Sequence, residues 1–226
     1  MPVEVAAGPL AATPRAAGAP VVLIQASPHA GGVTDTLADT FAAQFPPHVV
    51  QRLIVREHAI APCRGCNACA TPPHHCVLDS PAGTADAASQ FFASMQQARL
   101  LVICAPIYFY GLPGQCKGFM DRGQRLWHER QASEPSESGA CESRLCECGS
   151  RGAGAIALLA AGRPRGEQLF AGSLLTLKYF LALFDVSLVD NRCLYGLDNR
   201  DALAARPDVL DDIRALGQHW AGTVCA

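Results

Sequence analysis

The chain has 226 residues, half of them hydrophobic and 17% charged, enough apolar mass for one sizeable core. With 18 basic residues against 20 acidic, the formal net charge of −2 gives no electrostatic case for a nucleic-acid partner. The longest uncharged apolar stretch, residues 100–114, contains Pro106, Gly111 and Pro113 and falls short of the roughly 18–20 apolar residues a spanning helix needs, so no membrane span is expected.

Residues 1–20, rich in Ala, Pro and Gly, lack a basic start, an apolar run and a cleavage site. They read as a disordered tail ahead of a single domain over residues 21–226. Val21, Val22, Leu23 and Ile24 form a first buried strand, which ends in a loop over residues 26–32. Val33, Leu37, Phe41 and Phe45 recur every fourth residue and mark a helix stopped by Pro46 and Pro47. A second strand is expected over residues 49–55, followed by a cysteine-rich loop over residues 62–80. Residues 86–98 look helical, and 100–104 form a third strand. Pro113 can open the next helix at its first turn, and that helix is expected to run through Trp127. A polar insertion over residues 132–151 shows no period. Residues 153–160 make a fourth strand, and Phe170, Leu174, Leu177, Leu181 and Phe184 mark another helix. Residues 186–189 make a fifth strand, and Val209, Ile213, Leu216 and Trp220 line a last helix.

Five strands alternating with five helices imply an α/β fold, a parallel sheet covered on both faces. Ligands in such folds sit beyond the carboxyl ends of the strands, where the strand order reverses, so the loops after the strands are where chemistry is expected. Periodicity does not give the strand order itself.

The first such loop, residues 25–34, places small and hydroxyl residues between a strand and a helix start, so backbone N–H groups and the helix dipole can face an anion. Ser27 and Thr34 can donate to a phosphate and His29 can add a cation; the plainer reading is a Gly-rich turn with an ordinary cap. Neither G-x-x-x-x-G-K-[ST] nor G-x-G-x-x-G is present. The loop after the third strand carries Tyr108, Phe109 and Tyr110 in succession, which cannot all point inward. They suit a planar ring system, a surface covered by a neighbouring subunit, or both.

The cysteines form the second constellation. Eleven is an odd number, and several lie too close in sequence to become unstrained disulfides, so they read as metal or redox chemistry in a reducing, cytoplasmic setting. Cys63, Cys66, Cys69 and Cys76 make C-x2-C-x2-C-x6-C, with Pro62, Gly65, Pro72 and Pro73 shaping the turn. Compact runs of this kind hold iron–sulfur clusters, whereas zinc usually takes two separated C-x2-C knuckles. A thiol loop without metal is the third reading. His74 and His75 are alternative ligands or solvated loop residues. Cys141, Cys146 and Cys148 match no arguable metal site and read as part of the insertion. Cys104, Cys116, Cys193 and Cys225 read as small apolar or incidental thiols. Trp127 and Trp220 read as packing residues, and Asp121–Arg122 as a helix-face ion pair or an interface contact.

Taken together, residues 26–34, residues 105–115 with Lys117, Asp121 and Arg122, and residues 162–167 resemble, in order, three loops of the NADPH-dependent FMN reductase family. The resemblance runs from about Val21 to Trp220. It implies a flavodoxin-like three-layer sandwich with a five-stranded parallel sheet, and FMN as cofactor. The implied phosphate contacts are Ser27, His29, Gly32, Val33 and Thr34. The ring would lie against Pro106, Ile107, Tyr108 and Phe109, with Gly162 and Arg163 on its other side. His29 stands where the family often has arginine, which would make phosphate binding weaker or dependent on pH. The cysteine spacing is similar to that of the iron–sulfur flavoprotein branch, which implies a 4Fe–4S cluster on Cys63, Cys66, Cys69 and Cys76.

The function so implied is an FMN-dependent oxidoreductase that takes electrons or hydride from NAD(P)H or a ferredoxin-like donor and passes them to an acceptor, in a homodimer or homotetramer. No side chain stands out as a catalytic acid or base; the flavin supplies the reactivity and the protein orients and tunes it. Alternatives are an electron carrier without small-molecule turnover, and a non-catalytic anion-binding protein with a structural zinc loop.

Overall fold

The computed structural model describes residues 21–79, 86–133 and 154–225, so the tail, most of the polar insertion and Cys141, Cys146 and Cys148 lie outside the described residues. In chain order the principal elements are β1 (Val21–Gln25), α1 (Val33–Ala42), β2 (Val50–Ile54), α2 (Ala88–Gln97), β3 (Leu100–Pro106), α3 (Gly114–Asp121), α4 (Gln124–Ser133), β4 (Gly154–Ala161), α5 (Ala171–Ala182), β5 (Ser187–Tyr195), α6 (Arg200–Ala204) and α7 (Pro207–Val224).

All five strands pair in parallel in the order β2-β1-β3-β4-β5, the flavodoxin-like order. β1, β3 and β4 are buried on both faces, which explains their unbroken apolar runs. Alternate residues feed two cores. Val22, Ile24, Leu101, Ile103, Ala157 and Leu159 meet the Phe-rich helices α2, α3 and α5 on one side. Val21, Leu23, Val102, Ile156 and Leu158 meet α1 and α7 on the other. Trp220 packs against this second core, as its apolar spacing on the last helix suggests.

Three boundaries differ from the sequence expectation. The single helix expected over 113–127 is two helices, because the chain turns at Arg122 and Gly123. A Cβ on Gly123 would lie 2.9 Å from Leu183 Cδ1 and 2.9 Å from the Met120 carbonyl oxygen, so the turn admits only glycine without rearrangement. The fifth strand runs on to Tyr195 rather than stopping at 189. It is an edge strand, so Asp190, Asn191 and Arg192 can sit within it, with Arg192 paired to Asp190 and to Asp212 of α7. The short helix α6, capped by the Asn199 side chain on the Ala202 N–H, precedes the last helix and has too few residues to show a period. Among the described residues, no helix is long and apolar enough to cross a membrane.

The order places β1 beside β3, with the chain leaving to one side after β1 and to the other after β3. The strand order thus reverses between β1 and β3, the position at which folds of this kind bind their ligands. Hydrogen bonds fasten the bases of the surrounding loops: Ala26 N–H to the Cys104 carbonyl at 2.9 Å, Ile107 N–H to Ala160 at 2.8 Å, and Leu197 N–H to Ala161 at 3.0 Å.

Phe119 joins the α3 face to the core, stacked on Phe92 at 5.0 Å between ring centroids and edge-on to Phe91 and Phe180. Phe119→Ala is expected to cost about 3–5 kcal/mol in urea denaturation. A loss below about 1 kcal/mol, less than a single buried methylene-scale change, would show that α3 does not dock as described.

Candidate functional site

The loop after β1 rises from a buried floor. Pro28, His29, Ala30 and Gly31 are exposed, while Ser27 and Thr34 are buried. Gly31 adopts φ +68°, a left-handed turn that favours glycine, with open space around it. No side chain caps α1 at Gly32, so the first N–H groups of the helix, at Val33 and Thr34, have no intrahelical acceptor. The Ser27 hydroxyl is turned into its own loop, accepting from the His29 N–H at 3.1 Å and lying 2.9 Å from the His29 carbonyl; it shapes the turn.

Beneath the loop lies a set of residues whose sequence positions gave no sign of it. Asp35, 5% exposed, accepts from the Gly31 N–H at 2.8 Å and from Gln25 Nε2 at 2.8 Å. Arg56, two residues beyond β2, pairs with Asp35 at 2.9 Å and donates to the Ser27 carbonyl at 3.3 Å. The Asp35 charge is thereby compensated by a cation fixed to the same loop, so the loop does not present a bare carboxylate to an anion. An acidic residue in the first turn of a helix looks like an ordinary dipole partner in the sequence, and Arg56 carries no motif.

The loop after β3 closes as a two-residue hairpin. Tyr108 and Gly111 exchange N–H to carbonyl bonds at 2.9 and 3.0 Å, and Phe109 and Tyr110 between them have φ +48° and +63°. Left-handed backbone at aromatic residues costs about 1–3 kcal/mol each and persists where a site requires it. The turn throws its side chains outward, and Phe109 is fully exposed. Ile107 differs: its side chain is buried and its N–H donates to the Ala160 carbonyl of β4. Tyr110 ties this loop to the loop after β4, accepting from Arg163 Nη1 at 2.9 Å with the guanidinium 5.6 Å from the ring centroid. Gly162 lies under Asp198, where a Cβ would come within 2.5 Å of Oδ1.

The cysteine run follows β2 at the same sheet edge. Cys63, Cys66, Cys69 and Cys76 all line one cavity of about 190 Å³. The Gly65 N–H donates to Cys63 Sγ at 3.4 Å, and His74 Nδ1 lies 3.0 Å from the Cys69 carbonyl, which makes His74 a brace for the loop. Burial pushes the Cys69 thiol up in pKa, against a backbone hydrogen bond that lowers it, and the neighbouring Cys76, Cys63 and Cys66 add to the rise. Among the described residues, no group of three or more His, Cys, Asp or Glu side chains is arranged to hold a metal ion. Cys104 and Cys116 are fully buried; desolvation alone pushes Cys116 up to about 12 and leaves it inert.

Arg122 holds this run in place. Its guanidinium, 1% exposed, pairs with Asp79 and Asp86 and donates to the Ala61 carbonyl at 3.1 Å. Burial opposes its charge, but the hydrogen bond to Asp86 and the neighbouring Cys76, Asp86 and Asp79 hold its pKa above the ordinary value. The expected Asp121–Arg122 pair is therefore corrected: Arg122 turns inward to two distant carboxylates, and Asp121 pairs with Lys117 instead. A larger cavity, about 460 Å³, lies between α5 and the start of β5 and is lined by aliphatic residues with Lys178 and Ser187; it contains none of the residues above.

Comparison with known proteins bears on these loops. The model of the family described as NADPH-dependent FMN reductase matches residues 19–140, which takes in the loops after β1, β2 and β3. An FMN-dependent NADH-azoreductase from Bacillus anthracis, solved in complex with FMN, superposes with a TM-score of 0.57 at 12% identity, over 89% of this chain and 99% of that one. A Streptococcus mutans protein gives 0.58 at 14% identity over 88% and 98%, and the Trp repressor binding protein of Bacillus subtilis gives 0.53 at 13% over 87% and 96%. At these identities the likeness is one of fold. Among curated proteins the chain finds no match.

Removing the Arg122 charge would leave Asp86, 10% exposed, without its cation and Asp79 with Arg125 alone. Arg122→Met is expected to cost about 3–5 kcal/mol in chemical denaturation. A near-neutral result would show that the two carboxylates find other partners and that the cysteine loop is not fastened here.

Proposed function

The chain belongs to the NADPH-dependent FMN reductase family, and we propose that its FMN lies across the three loops at the β1/β3 crevice, with a 4Fe–4S cluster on the neighbouring cysteine loop. Members of that family are flavoprotein oxidoreductases that use NAD(P)H.

The observation that carries the FMN placement is the convergence of an uncapped helix start and an outward aromatic turn at the strand-order switch. The donor set fits a phosphate. Val33 would offer its backbone N–H, Thr34 its N–H and hydroxyl, and Gly32 a flexible approach, with Ser27 keeping the loop in shape. His29, exposed above the loop, would offer a ring N–H to the phosphate. Pro106, Ile107, Tyr108 and Phe109 would flank the ring, with the aromatic side chains excluding water. Gly162 and Arg163 would close the other side, with Tyr110 clamping Arg163 in position. When bound there, FMN would supply the hydride- and electron-transfer chemistry, with reduced nicotinamide as the source of the hydride. No acid or base from this chain is required for that exchange.

The cluster reading is supported by the sharing of one cavity by all four cysteines of the C-x2-C-x2-C-x6-C run and by the N–H donated to Cys63 Sγ. Such a centre would add one-electron traffic with a ferredoxin-like partner to the nicotinamide route. The fully exposed Phe109 suits a homodimer or homotetramer in which a second chain covers it, and the thiols that are free among the described residues suit a reducing, cytoplasmic setting.

FMN titration of the apoprotein tests the placement. Thr34→Val would remove a hydrogen bond to a charged oxygen, worth about 1.5–3 kcal/mol, and affinity is expected to fall roughly 10- to 100-fold. Equal affinity in wild type and variant would put the phosphate elsewhere.

A further inference from the structure

The Asp35 carboxylate sits in the first turn of α1, one residue past Thr34, and is 5% exposed. Its Oδ2 accepts from the Gly31 N–H at 2.8 Å, which holds the left-handed turn leading into the helix start. Its Oδ1 accepts from Gln25 Nε2 at 2.8 Å. Gln25 is fixed in turn from behind, because Arg52 donates to its Oε1 at 3.1 Å and to Asp39 at 2.7 Å. Asp35 therefore shapes the loop after β1, and it does so with a negative charge. A carboxylate in the first turn of the helix whose start would receive a phosphate opposes that phosphate, and most strongly where water is scarce.

Arg56 answers that charge from another stretch of chain, the turn that follows β2. Its Nη2 lies 2.9 Å from Asp35 Oδ2, and its Nη1 donates to Asp35 Oδ1 at 3.2 Å. Nη1 also donates to the Ser27 carbonyl at 3.3 Å. One guanidinium, its side chain 14% exposed, thus reaches both ends of the loop, Ser27 directly and Gly31 through Asp35. With the carboxylate cancelled, the backbone N–H groups and the dipole of α1 set the potential that an anion meets there.

We infer that Arg56 is a positioning residue that makes this site select phosphorylated over unphosphorylated flavin, acting through Asp35 and the Ser27 carbonyl. It rests on the FMN placement above. Riboflavin carries the same ring system without the phosphate, so its binding reports the rest of the site. A residue that merely supports the fold would affect both ligands alike; one that serves the phosphate loop affects FMN alone.

The test titrates the full-length protein, freed of flavin, with FMN and with riboflavin. Wild type is compared with Arg56→Met, Arg56→Lys and the double variant Asp35→Asn/Arg56→Met. Wild type is expected to prefer FMN. Arg56→Met is expected to weaken FMN binding about 10- to 100-fold and to leave riboflavin binding within about twofold. Arg56→Lys, which keeps the charge, is expected to fall between the two. In the double variant the Asn side chain can still accept from the Gly31 N–H but carries no charge, so most of the lost FMN affinity is expected to return. Unchanged FMN binding in Arg56→Met, equal losses for both ligands, or no recovery in the double variant would overturn the inference and leave the FMN placement standing. A wild type that binds riboflavin as tightly as FMN would overturn the phosphate placement itself, and the inference with it.

Discussion

The Arg122 guanidinium is carried into a part of the molecule where its side chain is 1% exposed, and three separate stretches of chain converge on it. Ala61 opens the cysteine run, Asp79 lies just beyond its last cysteine, and Asp86 stands ahead of α2. An ion network this deeply desolvated adds little net stability over an apolar substitute, but it demands one geometry, because each carboxylate and carbonyl is satisfied only when all of them meet the same group. Asp86 extends the arrangement by accepting from the Ala61 and Ala88 N–H groups, so the entry to the loop and the start of the following helix are tied to the same point. A loop rich in Pro, Gly and Cys has few apolar side chains of its own with which to define its position, and Arg122 supplies that definition.

The same residue ends α3, and α3 begins at the aromatic turn. This one helix therefore has the proposed ring site at its start and the cysteine loop at its end, about 12 Å away at 1.5 Å per residue. Along its length Gly118 lies against Pro62, and Gln115 donates to the Val55 carbonyl at 3.0 Å. The Phe119 contacts hold it against the core between these points. The proposed flavin site and the cysteine loop are thus positioned by a common rigid element.

Much of this was legible in the sequence because it rests on pattern. The unbroken apolar runs of β1, β3 and β4 could only be strands buried on both faces, and the four-residue recurrence from Val33 to Phe41 could only be a helix lying on them. Strand β5 was half hidden because an edge strand tolerates Asp190, Asn191 and Arg192, which break the apolar run without breaking the ladder. The turn at Gly123 was hidden for another reason: its cause is the approach of Leu183, 60 residues further on. At the crevice, the hydroxyls and aromatics announced themselves by type and spacing. The Gln25–Asp35–Arg56 set under the loop did not, since each member is unremarkable locally and they meet only when β1, α1 and the end of β2 are assembled. Arg122 was misjudged on the same grounds; adjacency to Asp121 suggested a surface pair, whereas its partners lie 43 and 36 residues earlier in the chain.

The central claim is that one sheet edge carries two redox centres, a flavin in the β1/β3 crevice and a cluster in the cysteine cavity. A crystal structure of the anaerobically purified protein, with diffraction recorded on both sides of the iron absorption edge, tests it most directly. The account predicts flavin density across the loops after β1, β3 and β4, and a strong iron signal enclosed by Cys63, Cys66, Cys69 and Cys76. Flavin density in a different cleft, or an iron signal held by other residues or missing from a flavin-loaded molecule, would contradict it.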